Sequence, residues 1–155
     1  MGSSNRLYME TTTIDPNRTV GEIQNVLRKH GAQGVLTEYE GGEVSAVSFT
    51  IKVNEGDDQK VPFRLPCRWK EVYRLLQSRR RRGVRKYSVL EAQAKRIAWR
   101  QILRWVEAQM AFVETGMVKM EEVFMPYIQV GIDETLFDRL EGQGFRLIGY
   151  DGENE

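Results

Sequence analysis

Six of the eight residues at positions 79–86 are cations: Arg79, Arg80, Arg81, Arg82, Arg85 and Lys86. Guanidinium groups grip phosphate oxygens in pairs and stay charged at any physiological pH, so a run of this kind suits contact with a phosphate backbone. Like charges at this density repel, which predicts an exposed linker, and folding alone does not require them. Two readings follow. The run contacts phosphates, or it is a solvated linker that balances acidic charge elsewhere in the same molecule. The wider sequence adds to the first. Fourteen of the 23 basic residues lie from Arg64 to Arg104 with only Glu71 and Glu91 among them, which gives that stretch +12. The whole chain is +1, so the remainder carries −11. A near-neutral chain of this kind can still present a strong local field to a polyanion.

A second basic group is Arg96, Arg100 and Arg104, spaced four apart with Lys95 alongside. On a helix that spacing places the three along one face, where they could track a phosphate backbone. The alternative is a solvated face with Glu91 and Glu107 as partners. Phe63, Trp69, Tyr73, Tyr87, Trp99 and Trp105 interleave with these charges. Single-strand binders stack bases on such rings. Most of these six fall in apolar helical stripes and are expected in the core. Tyr87 lies in the basic linker, outside any stripe, and is the stacking candidate.

Other chemistry is poorly served. Asp57-Asp58 and Glu121-Glu122 are adjacent pairs whose side chains diverge on a strand or helix, and Asp133-Glu134 is accounted for as a helix cap. His30 and Cys67 are each the sole residue of their type, too little for a zinc site, a disulfide or a Cys–His nucleophile. Gly31, Gly34, Gly41 and Gly42 form neither a Walker loop nor a dinucleotide fingerprint. Ser45, Ser48 and Ser88 lack a nucleophile-elbow setting. The expectation is a protein that is not an enzyme, with no catalytic residues, no metal and no cofactor.

The elements that would position the basic groups can be read from periodicity. Thr19-Val20-Gly21-Glu22 has the form of a capping box, with Val20, Ile23, Val26 and Leu27 following at helical spacing, which predicts a helix over residues 20–30 with His30 at its end. Strands are expected at 34–39, 43–53 and 60–65, turning at Gly41-Gly42 and at 54–58. Val47, Phe49, Ile51 and Val53 alternate with Ser48, Thr50 and Lys52, as in a half-buried antiparallel strand. Pro62 puts the third strand at an edge. Pro66 is expected in the first turn of a second helix with Trp69, Val72, Tyr73 and Leu76 as its apolar stripe.

The longest element is expected over residues 88–114, capped by Ser88 and Glu91 and ended by Gly116. Trp99, Ile102, Leu103, Val106 and Met110 share one of its faces; Trp105 and Phe112 share another. A helix apolar on two sides is central to its domain or shared with a second chain, which makes Trp105 and Phe112 candidate interface residues of a homo-oligomer. A short helix at 118–125 stopped by Pro126, and a last helix capped by Asp133, complete an α+β fold: a helix and a three-stranded antiparallel meander, then a mostly helical half with one long central helix. Residues 1–13 are expected to be flexible, 14–150 to form one domain (divisible at the 79–86 linker into 14–78 and 87–150), and 151–155 to be an acidic tail. No apolar run approaches the ~18 residues of a membrane span. Residues 1–10 are polar and lack the apolar stretch of a signal peptide, so the cytoplasm is the expected compartment.

The run Ala98-Trp99-Arg100-Gln101-Ile102-Leu103-Arg104-Trp105-Val106-Glu107-Ala108-Gln109-Met110, followed by Glu121-Glu122-Val123-Phe124-Met125-Pro126-Tyr127, resembles a recurrent type of small protein of phages and prophages. The resemblance extends to the helix at 19–27 and to Phe63-Arg64-Leu65-Pro66. It implies a mobile-element origin, hence a host-cell cytoplasm, and brings no activity or catalytic residue. The leading expectation is a nucleic-acid-binding accessory protein that contacts phosphates without sequence readout. The alternatives are a protein-interaction module that meets an acidic surface or inhibits a host factor, and a binder of small phosphorylated ligands such as nucleotide second messengers.

Overall fold

The computed structural model describes residues 6–54, 56, 58–79 and 86–146. The first helix, α1 (Pro16–Lys29), starts a turn earlier than the Thr19 capping box predicts. Asp15 is the cap: its carboxylate accepts from the Asn17 N–H at 2.8 Å, and Pro16 follows at the first helical position, where its missing N–H costs nothing. Thr19 is buried inside the helix, and Glu22 reaches a residue of the long helix described below, Arg100. Asp15→Ala should cost about 1 kcal/mol, the usual worth of an N-cap. That is roughly 2–4 °C in a chain of this length, measurable by thermal unfolding.

A three-stranded antiparallel meander follows, in the order β1 (Gly34–Glu40), β2 (Glu43–Lys52) and β3 (Lys60–Pro66). Gly41 and Gly42 both have positive φ (58° and 80°), as the two-residue hairpin between β1 and β2 demands. The register Val35↔Phe49↔Phe63 and Thr37↔Val47↔Leu65 puts one residue set on the core face. The opposite face carries Glu38, Ser48 and Arg64, where Glu38 accepts from Ser48 Oγ at 2.6 Å and Arg64 Nε at 3.0 Å. β3 is an edge, as Pro62 implies, although Ile128 adds one antiparallel bridge to Phe63. Pro66 is the last residue of β3 and not part of a helix; α2 (Trp69–Ser78) begins three residues on.

The long helix α3 (Tyr87–Glu114) explains its own two-sided apolarity. Its C-terminal half lays Trp99, Leu103, Val106 and Met110 into the main core, beside Ile23 and Leu27 of α1 and Phe49 and Phe63 of the sheet. Its N-terminal half packs Leu90, Ala94 and Ile97 against Tyr73 and Leu76 of α2 in a second cluster. One helix thus joins two cores. The cap expected from Ser88 and Glu91 is absent: Lys86 occupies the N-cap position and gives no side-chain bond.

After Gly116 come α4 (Met120–Phe124) and a 3₁₀ turn, Met125–Tyr127. Phe124 sits edge-on to Phe49 at 5.0 Å and to Trp105 at 5.6 Å, and so closes the core from below the sheet. A small hairpin, β4 (Gln129–Gly131) and β5 (Glu134–Thr135), leads to α5 (Leu136–Gly142). Asp133 is in the hairpin turn with φ 55°; the cap of α5 is Thr135, which exchanges two bonds with Asp138.

Residues 7–12, expected to be flexible, are held against α3. Leu7 packs on the second cluster, Gln101 donates to the Tyr8 carbonyl at 2.9 Å, and Gln93 donates to the Glu10 and Thr12 carbonyls at 2.7 and 2.9 Å. Bonds from side chains to an irregular backbone leave no period in a sequence, which is why the pattern missed them.

Candidate nucleic-acid interface

The structure redistributes the predicted patch. Arg96, Arg100 and Arg104 do follow one another along α3, but the face they share is not free. Arg100 is buried: its Nη1 reaches Glu22 Oε2 at 2.6 Å and Thr19 Oγ1 at 3.4 Å. Its guanidinium is committed inside the fold and cannot present itself to a phosphate. Arg96 is folded back on Gln93 Oε1, at 3.0 and 2.6 Å. Arg104 pairs with Glu107 at 3.1 Å, the partner the alternative reading named. Lys95 is held by Glu43 and Glu91 and lies 4.6 Å from the centre of the Trp69 ring. Partial burial works against its charge, yet the bonds to those two carboxylates outweigh it and hold its pKa above the ordinary lysine value.

Elsewhere in the basic stretch, Arg64 pairs with Glu38, Arg68 with Asp138 and Arg74 with Glu71. Six of its cations among the described residues therefore meet carboxylates, most of them from outside the stretch. Internal pairing absorbs much of the polarity visible in the sequence.

The most exposed cations of this stretch, among the described residues, lie just before and along α2 and at the two ends of the basic run. Arg68, Lys70, Arg74 and Arg79 are all exposed. The Arg74–Glu71 pair is two-thirds exposed on both sides, so water screens it and it can open to another anion. Arg79 closes α2 and Lys86 precedes α3. Arg80, Arg81, Arg82 and Arg85 lie outside the described residues. Tyr87 is the first residue of α3 and not part of a linker; its ring meets Tyr73 edge-on at 5.0 Å while 61% of the residue stays exposed.

Trp105 and Phe112, the candidate interface residues, sit in different surroundings. Trp105 is partly buried and meets Phe124 and Tyr127 from within the chain, each 5.6 Å away between ring centres. Phe112, about two helical turns further on, is exposed.

Among the described residues, no group of three or more His, Cys, Asp or Glu side chains is placed to hold a metal ion. His30 Nδ1 lies 2.8 Å from the Val26 carbonyl, a helix-end contact as expected. Burial pushes the Cys67 thiol up to about 12, far from the thiolate a nucleophile needs.

Asp138 behaves in the opposite way. The Thr135 backbone N–H, then the Thr135 hydroxyl, Arg68 and Arg64, hold its carboxyl below the ordinary value against partial desolvation. A carboxyl with a lowered folded pKa stabilises the fold above its unfolded pKa of about 3.9 and loses that contribution as pH falls through the folded value. A carboxyl-carbon NMR titration should place the Asp138 midpoint below about 3.9, and Thr135→Val should move it upward.

Sequence reasoning overlooked the ground at the foot of α2. Two adjoining hollows of about 360 and 370 Å³ share Arg68, Trp105 and Tyr127 in their walls. These residues come from three separate elements, and only the fold brings them together.

Comparison with known proteins returns no matching family, no similar curated protein and no similar solved structure. Among the described residues, no helix is long and apolar enough to cross a membrane.

Proposed function

We propose that this protein is a non-enzymatic nucleic-acid-binding protein that grips the phosphate backbone through residues 79–86 and the outward side of α2, with little sequence preference. The observation that carries this is charge density: the run at 79–86 contains six cations and no acid. Its flanks, Arg79 and Lys86, are exposed, as are Lys70 and Arg74 on α2 and Arg68 just before it. The setting we propose for it is that of an accessory protein of a mobile element. Little sequence preference is expected because the one long helix among the described residues, α3, is central to both cores and not laid out to enter a groove.

Fluorescence anisotropy with labelled single-stranded DNA, duplex DNA and RNA, across a range of salt, tests this. The expected result is binding whose log affinity falls linearly with log salt. No binding to any of the three at low salt would overturn it.

A further inference from the structure

The hollows at the foot of α2 combine two chemistries that a single nucleotide unit also combines. Trp105 of α3 and Tyr127 of the 3₁₀ turn give both a flat aromatic wall, and the first adds Val72 from α2 and Ile102 and the polar Gln101 from α3. The indole and phenol rings are tilted 58° to each other at 5.6 Å, so together they form a corner. At the rim stands Arg68, which precedes α2 and has a half-exposed side chain. Its bond to Asp138 is long, 3.4 Å, and engages one nitrogen of a five-donor fork. The volumes, about 360 and 370 Å³, are in the range of small-ligand sites, roughly 300–1,000 Å³.

A flat apolar body with an anion beside it satisfies both the walls and the rim. A free phosphate would leave the aromatic corner unused, and an apolar peptide would leave the guanidinium unused. A base in a duplex is stacked and paired and cannot enter, whereas an unpaired base can leave its strand and stack on a side chain.

We propose that the Trp105–Tyr127 corner, with Arg68 at its rim, receives an unpaired base of single-stranded nucleic acid. This rests on the function proposed above and narrows it to a single-strand ligand. Stacking a base on an aromatic ring is worth roughly tenfold to a hundredfold in affinity.

The test compares a labelled single-stranded oligonucleotide, an abasic strand of equal length and a duplex, each with the full-length protein and with Trp105→Leu. The native protein should bind the base-containing strand at least tenfold more tightly than the abasic one. Trp105→Leu should lose that preference while keeping its affinity for duplex and its salt slope. Equal affinity of the native protein for base-containing and abasic strands would overturn the proposal and leave the backbone-binding function standing. Absence of binding to all three would overturn both. The abasic comparison needs no variant, so the proposal stays exposed to failure even if Trp105→Leu, which removes a contact to Phe124, does not fold.

Discussion

Replacing Arg79, Arg80, Arg81 and Arg82 together with alanine is expected to weaken binding to single-stranded nucleic acid several hundred-fold near 0.1 M salt. Each phosphate neutralised on a single strand contributes about 0.7 to the slope of log affinity against log salt. Four lost contacts lower the slope by about 3, and at tenfold dilution from 1 M the same factor separates the affinities by nearly three decades. The loss should therefore shrink as salt rises, which distinguishes missing phosphate contacts from a damaged fold. Thermal stability should change little, because the substitution relieves repulsion among like charges. Unchanged affinity together with an unchanged slope would mean that the run serves only to balance charge.

The Arg100–Glu22 pair should show the second large effect, and an asymmetric one. Arg100 is almost fully enclosed, at 6% side-chain exposure, and its Nε finds no partner; Glu22 remains 35% exposed and also meets Arg18 at 3.4 Å. Glu22→Ala strands a guanidinium in the interior. Breaking a fully buried pair in this way costs about 3–5 kcal/mol, and the exposure of Glu22 brings the expectation down to about 2–3 kcal/mol. Arg100→Met removes the buried charge itself, fills similar space and leaves Glu22 with water and Arg18. Its cost should stay below about 1 kcal/mol. Urea unfolding of the two variants measures both. If Arg100→Met proved as damaging as Glu22→Ala, the pair would be a net stabiliser of the fold. The same Arg100→Met protein should bind nucleic acid with an unaltered salt slope, since its guanidinium does not reach the surface. A slope lower by about 0.7 would instead return Arg100 to the phosphate-contacting set.

These two expectations separate cations that were alike in sequence. Arg79 and Arg100 differ only in what surrounds them after folding. The carboxylate that captures Arg100 is 78 residues away, in the helix that precedes the meander. Helical spacing placed Arg96, Arg100 and Arg104 on one face correctly, yet spacing says nothing about what that face meets. Trp105 shows the same limit: its apolar side could have belonged to a second chain, and Phe124 and Tyr127 take up part of it from within.

The α+β class, the three strands to within a residue or two, the two-glycine hairpin and the long helix were all legible in the residues themselves, because each depends on local periodicity or a local backbone requirement. The alternation in β2 is a case: Val47, Phe49 and Ile51 are buried as their period-two spacing requires. Caps were less legible. Thr19 and Ser88 have the right chemistry for capping, but Asp15-Pro16 and Lys86 occupy the positions where the helices begin, since packing of α1 and α3 sets where each chain enters its helix. Which cations remain on the surface, and which aromatic rings form a corner with Arg68 at the foot of α2, followed only from the assembled fold. Ion pairs such as Arg64–Glu38 and Lys95–Glu43, and hollows such as the one between Trp105 and Tyr127, join residues distant in the chain. Their formation depends on where whole elements come to rest, which no local pattern contains.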